Sequence, residues 1–97
     1  MIERIVVRAL ARRDIREARL WYRNISHDLG ESFLRSVAHA VALALEHPLA
    51  FHVTYRTFRR VLLNRFPYSL FYRVDDNRIV IVAVLHQARD PRELRKR

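Results

Sequence analysis

Every residue from Ile79 to Leu85 is apolar, and the run is closed by Arg78 on one side and His86 on the other. A half-buried strand alternates apolar and polar positions, so a strand with no polar position must be covered on both faces and belongs in the middle of a sheet. The run is far too short to span a bilayer. Asp75-Asp76-Asn77, just before it, has tight-turn composition; the turn accounts for these carboxylates without a metal site. Upstream of the turn, Tyr68, Leu70, Tyr72 and Val74 alternate with Ser69, Phe71 and Arg73. The spacing predicts a hairpin of strands at 68–74 and 78–86, with Arg59–Leu63 as a further strand completing a three-stranded antiparallel meander.

Before the meander the period changes. Ala11, Ile15, Ala18, Tyr22, Ile25 and Leu29 are spaced 4, 3, 4, 3 and 4, the apolar stripe of an amphipathic helix, which Trp21 widens. Arg12, Arg13, Arg16, Glu17, Arg19 and Arg23 fill its solvated face. The break is expected at Asp28-Leu29-Gly30, because the chain's only glycine can take the left-handed conformation that ends a helix. Phe33, Val37, Ala40, Val41, Ala44 and Leu45 carry a second stripe, with Glu31 near its start, and Pro48 stops it. A short break implies an antiparallel helix pair. Ile5-Val6-Val7, with Ile2 nearby, reads as a first strand. The expected fold is α+β, in one domain over residues 1–97: an N-terminal strand, an antiparallel helical hairpin, then the meander packed on the helices.

Composition narrows the chemistry. Without cysteine there is no disulfide, thiolate nucleophile or Cys-based metal site. His39 and His47 have no acidic partner at ligand spacing and are expected to be structural or surface residues; His27 and His52 support no role. Met1-Ile2-Glu3-Arg4 lacks the apolar run of a signal peptide, so a soluble, cytoplasmic protein without membrane contact is expected. Nineteen Lys and Arg residues against ten Asp and Glu give a formal charge of +9, and Lys96 is the only lysine. Such a field attracts polyanions: RNA, DNA or an acidic protein segment. Arginine's planar fork suits phosphate and carboxylate.

The arginines concentrate around "RFPYSLFYRV", residues 65–74. Pro67 has no amide hydrogen and is tolerated at the head of a strand. Phe66 and Tyr68 can then anchor in the core against the helices, leaving Arg60, Arg65 and Arg73 to project from the sheet's other face. Arg56, Arg59, Arg60, Arg65 and Arg73 are followed by Arg89, Arg92, Arg95, Lys96 and Arg97. Arg59, Arg60, Arg65, Arg73, Arg89 and Arg92 are the expected partner-binding set. The C-terminal cluster taken alone reads equally well as a frayed basic tail.

The stretch from Arg59 to Pro91 resembles the sheet of the RelE/ParE toxins of bacterial type II toxin–antitoxin pairs, and Ala11 to Ser26 is similar to their first helix. The resemblance rests on Asp14-Ile15, Trp21-Tyr22, Arg65-Phe66-Pro67-Tyr68, Phe71-Tyr72-Arg73-Val74, Ala83-Val84-Leu85-His86 and Arg89-Asp90-Pro91. It implies a small toxin blocked by a cognate antitoxin whose C-terminal segment wraps it. ParE-like members of the superfamily inhibit DNA gyrase, whereas RelE-like members cut messenger RNA on the ribosome.

Metal-free RNA cleavage needs a base, an acid and cations for the developing phosphate charge. RelE-like nucleases carry a basic residue directly after the tyrosine of the middle strand and, in many, a tyrosine near the C-terminus. This chain has Ser69 and Leu94 there. The ParE-like branch is therefore expected, with no catalytic residue, metal or cofactor. The alternative is a ribosome-dependent endonuclease using His86 with Arg89, and with Arg59, Arg60 and Arg65 around the phosphate; the bland reading of His86 is a ring hydrogen-bonded to backbone where the sheet ends. A remnant that only binds its antitoxin is the third reading.

Overall fold

The computed structural model describes residues 4–97. Strand β1 (Arg4–Val7) leads into α1 (Ala9–Ile25) and α2 (His27–Glu46). Then come β2 (Val53–Tyr55), β3 (Phe58–Leu62), β4 (Tyr68–Asp75), β5 (Arg78–His86) and a short 3-10 helix, Pro91–Lys96. The strands form one sheet in the order β1-β5-β4-β3-β2. β1 runs parallel to β5, and the remaining neighbours are antiparallel. The α+β class, the helical hairpin and the meander are as expected. The sheet has one more strand than the sequence suggested, because Val53-Thr54-Tyr55 is short and carries no alternation to read. Ile2 lies outside the described residues.

β5 is covered on both faces, by two different layers. Ile79, Ile81 and Val84 join Leu70, Tyr72, Val61 and the buried stripe of the helices. Val80, Val82, Ala83 and Leu85 join Phe58, Phe71 and Leu94 on the other face. Adjacent residues Val82 and Ala83 share a face because the β4–β5 register shifts between Phe71↔Ala83 and Tyr72↔Ile81. This is a β-bulge, an extra residue on one strand. The second layer is the 3-10 helix, which inserts Leu94 into the core at 0% exposure. Asp90 caps it by accepting from the Arg92 amide at 2.9 Å. The C-terminal cluster is therefore no frayed tail. Apolar Leu94 pins it down, while Arg95 and Lys96 stay exposed.

The helical break falls at Ser26, not at Gly30. Ser26 has extended backbone, φ −158° and ψ 148°, and its hydroxyl accepts from the Leu29 amide at 3.1 Å, an N-cap for α2. Gly30 is helical and buried, and serves close approach instead: a Cβ there would sit 2.9 Å from Arg23 Cβ and 3.2 Å from Arg23 Cα. Alanine at this position gains about 1 kcal/mol of helix propensity, but overpacking against an atom fixed to the α1 backbone costs about 1–3 kcal/mol. Gly30→Ala is expected to lower stability by about 1 kcal/mol in urea unfolding; a stabilised variant would show that the helices separate freely.

Candidate functional site

α1 lies across the sheet so that its flank and the ends of β4 and β5 enclose a groove of about 510 Å³. Trp21, Tyr22 and Glu17 form the helix wall, and Tyr68, His86 and Arg89 the sheet wall. An aromatic cluster builds the floor. Phe33, fully buried, stacks on Tyr22 at 5.5 Å and meets Phe66 and Tyr68 edge-on at 5.3 and 5.2 Å between centroids. Tyr68 in turn meets His86 edge-on at 5.2 Å. Phe66 and Tyr68 thus pack against the helices on either side of Pro67. Trp21 contacts Tyr22 at 5.2 Å yet remains 61% exposed.

His86 ends β5, and its Nδ1 accepts from the Ala88 amide at 3.0 Å. With that lone pair engaged, the neutral ring carries its proton on Nε2 and faces the groove as a donor. To act as a base it would have to give up the Ala88 bond. Burial pushes the phenols of Tyr22, Tyr68 and Tyr72 above their ordinary value, with the Arg89 guanidinium opposing the shift at Tyr68. Tyr72, fully buried, donates its hydroxyl to the Pro48 carbonyl at 2.6 Å. A phenol whose folded pKa is raised contributes stability that is complete below the unfolded value, about 10, and is lost as pH climbs through the folded value. The urea midpoint is expected to hold up to about pH 10 and fall above it. Tyr72→Phe should shrink that alkaline loss; an unchanged profile would rule out buried phenols as its source.

The expected site residues fall into separate places. Arg89 lines the His86 groove and also a second cleft, of about 580 Å³, with Arg13, Arg92, Arg95 and Lys96. Within it Arg89 pairs with Glu93 at 2.7 Å and Arg92 with Asp90 at 2.7 Å. The hydrogen bond from Arg92 holds the Asp90 carboxyl below its usual range. Arg59 lies opposite Tyr72, whereas His86 lies opposite Tyr68. Four residues of strand separate the two positions, about 13 Å. The Arg59 guanidinium is committed to the Phe51 and Leu49 carbonyls, at 2.8 and 3.2 Å. Arg60 and Arg73 stand on the face away from the helices, Arg73 being 3.9 Å from Asp75. Arg65 is exposed in the β3–β4 connection with φ 72°. Ser69 is buried at 2% exposure on the face opposite Tyr68.

Sequence reasoning missed the knot beside the groove. β1 pairs β5 only as far as Ile81, so among the described residues no strand continues beside β5 on that side. Asp14 fills the gap: its carboxylate accepts from the Val84 amide at 3.1 Å and from both terminal nitrogens of Arg97, at 2.8 and 3.1 Å. Arg97 also donates to the Val82 carbonyl at 3.1 Å. The pair blunts an open sheet edge and ties α1 to the end of the chain. The signal was an acid at the border of α1's apolar stripe, between Ala11 and Ala18.

A parallel strand, a helical hairpin and an antiparallel meander make an α+β domain with an aromatic groove between α1 and the sheet. One solved structure sharing it is "Chromosomal ParDE TA system from P. aeruginosa", with a TM-score of 0.65 and 18% identity over 89% of this chain and 96% of that one. No curated protein matches the sequence. The sequence pattern of the ParE toxin of the type II toxin–antitoxin system parDE matches residues 5–91, and the chain belongs to that family. Among the described residues no helix is long and apolar enough to cross a membrane.

Proposed function

We propose that this chain stops growth by binding DNA gyrase in the cytoplasm and is held inactive by a cognate antitoxin. The observation that carries the reading is the groove itself. It offers an exposed indole to a partner, beside an Arg89 that Glu93 holds, while His86 has its Nδ1 lone pair engaged by Ala88. Such a site favours holding over proton transfer. Family membership supports an antitoxin partner. An acidic antitoxin segment would lie over the groove beside Arg89 and Arg92 and wrap to the sheet face away from the helices, where Arg60 and Arg73 stand, with Arg65 at the β3–β4 connection. Arg59 is held by the Leu49 and Phe51 carbonyls and contributes to the surface only through the loop it fixes.

The test is induction of the chain in a bacterium with and without its antitoxin, mapping new 5′ ends on abundant mRNAs, followed by a supercoiling assay with purified gyrase. Growth arrest without codon-register cuts, together with loss of supercoiling that the antitoxin restores, is the expected result. Cuts in register with codons, abolished by His86→Ala, would replace it with the ribosome-dependent nuclease. No arrest and no effect on gyrase would leave an antitoxin-binding remnant.

A further inference from the structure

Seven of the described acidic residues pair with a neighbouring arginine or histidine, while Asp28 and Asp76 make no ion pair. Asp14 holds Arg97, Glu17 faces Arg13, Glu31 holds Arg19, Asp75 serves Arg73 and Arg78, and Asp90 and Glu93 hold Arg92 and Arg89. Among the described residues, none reaches Arg8, Arg12, Arg16, Arg23 or Arg35. All five are exposed. Four of them form one ridge. At about 100° per residue, Arg12, Arg16 and Arg23, with Arg19 among them, fall within an arc of about 60° on α1, and Arg8, the extended residue just before the helix, continues the row to roughly 22 Å. On α2, Arg35 is one turn beyond Glu31, which pairs with Arg19 at 3.0 Å; the antiparallel hairpin brings it alongside the middle of the ridge, near Arg16. Like charges at i, i+4 destabilise a helix by a few tenths of a kcal/mol per pair. Among the described residues only Glu31, through Arg19, offsets that cost.

We infer that this exposed ridge, on the side of α1 that borders α2, binds the phosphate backbone of duplex DNA without reading sequence. Charge gives the first argument: Arg8, Arg12 and Arg16, about 6 Å apart along the axis, and Arg23, about 10 Å further on, set unpaired guanidiniums in a row that suits the phosphates of one strand, and arginine bonds phosphate in bidentate fashion. What the ridge lacks gives the second. A protein partner wants an apolar interface core, yet the exposed apolar residues of α1, Leu10, Trp21 and Ile25, lie on its opposite flank, and only Leu20 borders the ridge. Single strands are held by aromatic platforms. Trp21, the exposed one, sits about 180° around the helix from the ridge's centre. This surface is separate from the His86 groove, and the inference goes beyond the gyrase reading.

The experiment is fluorescence anisotropy of the purified chain with a labelled 20-bp duplex of arbitrary sequence, titrated across salt. A plot of log K against log salt is expected to slope at about −4, for four to five phosphates neutralised. The triple variant Arg12→Gln/Arg16→Gln/Arg23→Gln should reduce that slope to about −1. Arg56→Gln/Arg95→Gln/Lys96→Gln removes the same charge elsewhere and should leave it near −4. Circular dichroism verifies folding, and lysines at the three ridge positions should restore most of the slope. Equal losses in both triple variants would overturn the inference in favour of net charge alone. So would equal or tighter binding of a single strand of the same length, or ridge-dependent binding of polyglutamate in place of duplex. Neither gyrase nor antitoxin is present, so this inference and the proposed function fail separately.

Discussion

Asp14→Ala is expected to cost about 3–5 kcal/mol, the range for breaking a buried ion pair by removing one partner. The side chains of Asp14 and Arg97 are 9% and 10% exposed, so solvent does little to screen them. Alanine leaves the guanidinium without its carboxylate and strips the Val84 amide of its acceptor at the bulge. A domain of this size has about 5–15 kcal/mol to lose. The urea midpoint should drop accordingly. Asp14→Asn keeps an oxygen for Val84 but no charge for Arg97 and should fall between. The double variant Asp14→Ala/Arg97→Met should lose less than Asp14→Ala alone, because it buries no orphaned cation. A loss below about 1 kcal/mol for Asp14→Ala would place the pair with exposed surface bridges.

The same knot shows where the sequence stops being legible. The hairpin of β4 and β5 could be read because its signals are local: the turn at Asp75-Asp76-Asn77, the alternation before it and the unbroken apolar run after it. That run also demanded two covering layers, and both exist. What covers the second face could not be read, since a short segment with one apolar residue, Leu94, among arginines looks like a tail until Phe58, Phe71 and Leu85 are placed beneath it. Gly30 was misread for a related reason. Its spacing allowed either a helix end or a close crossing, and only the position of Arg23 on the other helix decides. Ser26 was the local signal that should have outweighed it, being an N-cap residue at the start of an apolar period. The arginine set illustrates the same limit for sites. Composition picks out basic residues, but ion pairing separates Arg89 and Arg92, which are held, from Arg60 and Arg65, which are exposed with no carboxylate partner among the described residues.

Phe33→Ala is the other large effect expected, about 3–5 kcal/mol for emptying a buried aromatic site. Its consequence for the groove is separable from its cost. Phe33 touches Tyr22, Phe66 and Tyr68, and Tyr68 touches His86, so the ring props the groove floor at one remove from its surface. Phe33→Leu keeps most of the volume and should lose roughly 1.5 kcal/mol or a little more, while the His86 ring proton resonances shift as Tyr68 reorients above them. Trp21→Ala, on the exposed wall, should cost about 1 kcal/mol or less, since it forfeits one edge-on contact with Tyr22. Yet it is Trp21→Ala that should weaken binding of the antitoxin at least about tenfold, as exposed aromatics do when they anchor an interface. Urea unfolding and titration calorimetry with the antitoxin give the two readouts. If Phe33→Leu weakens binding as much as Trp21→Ala with the fold intact, the groove binds through the shape of its floor, and the indole is only its rim.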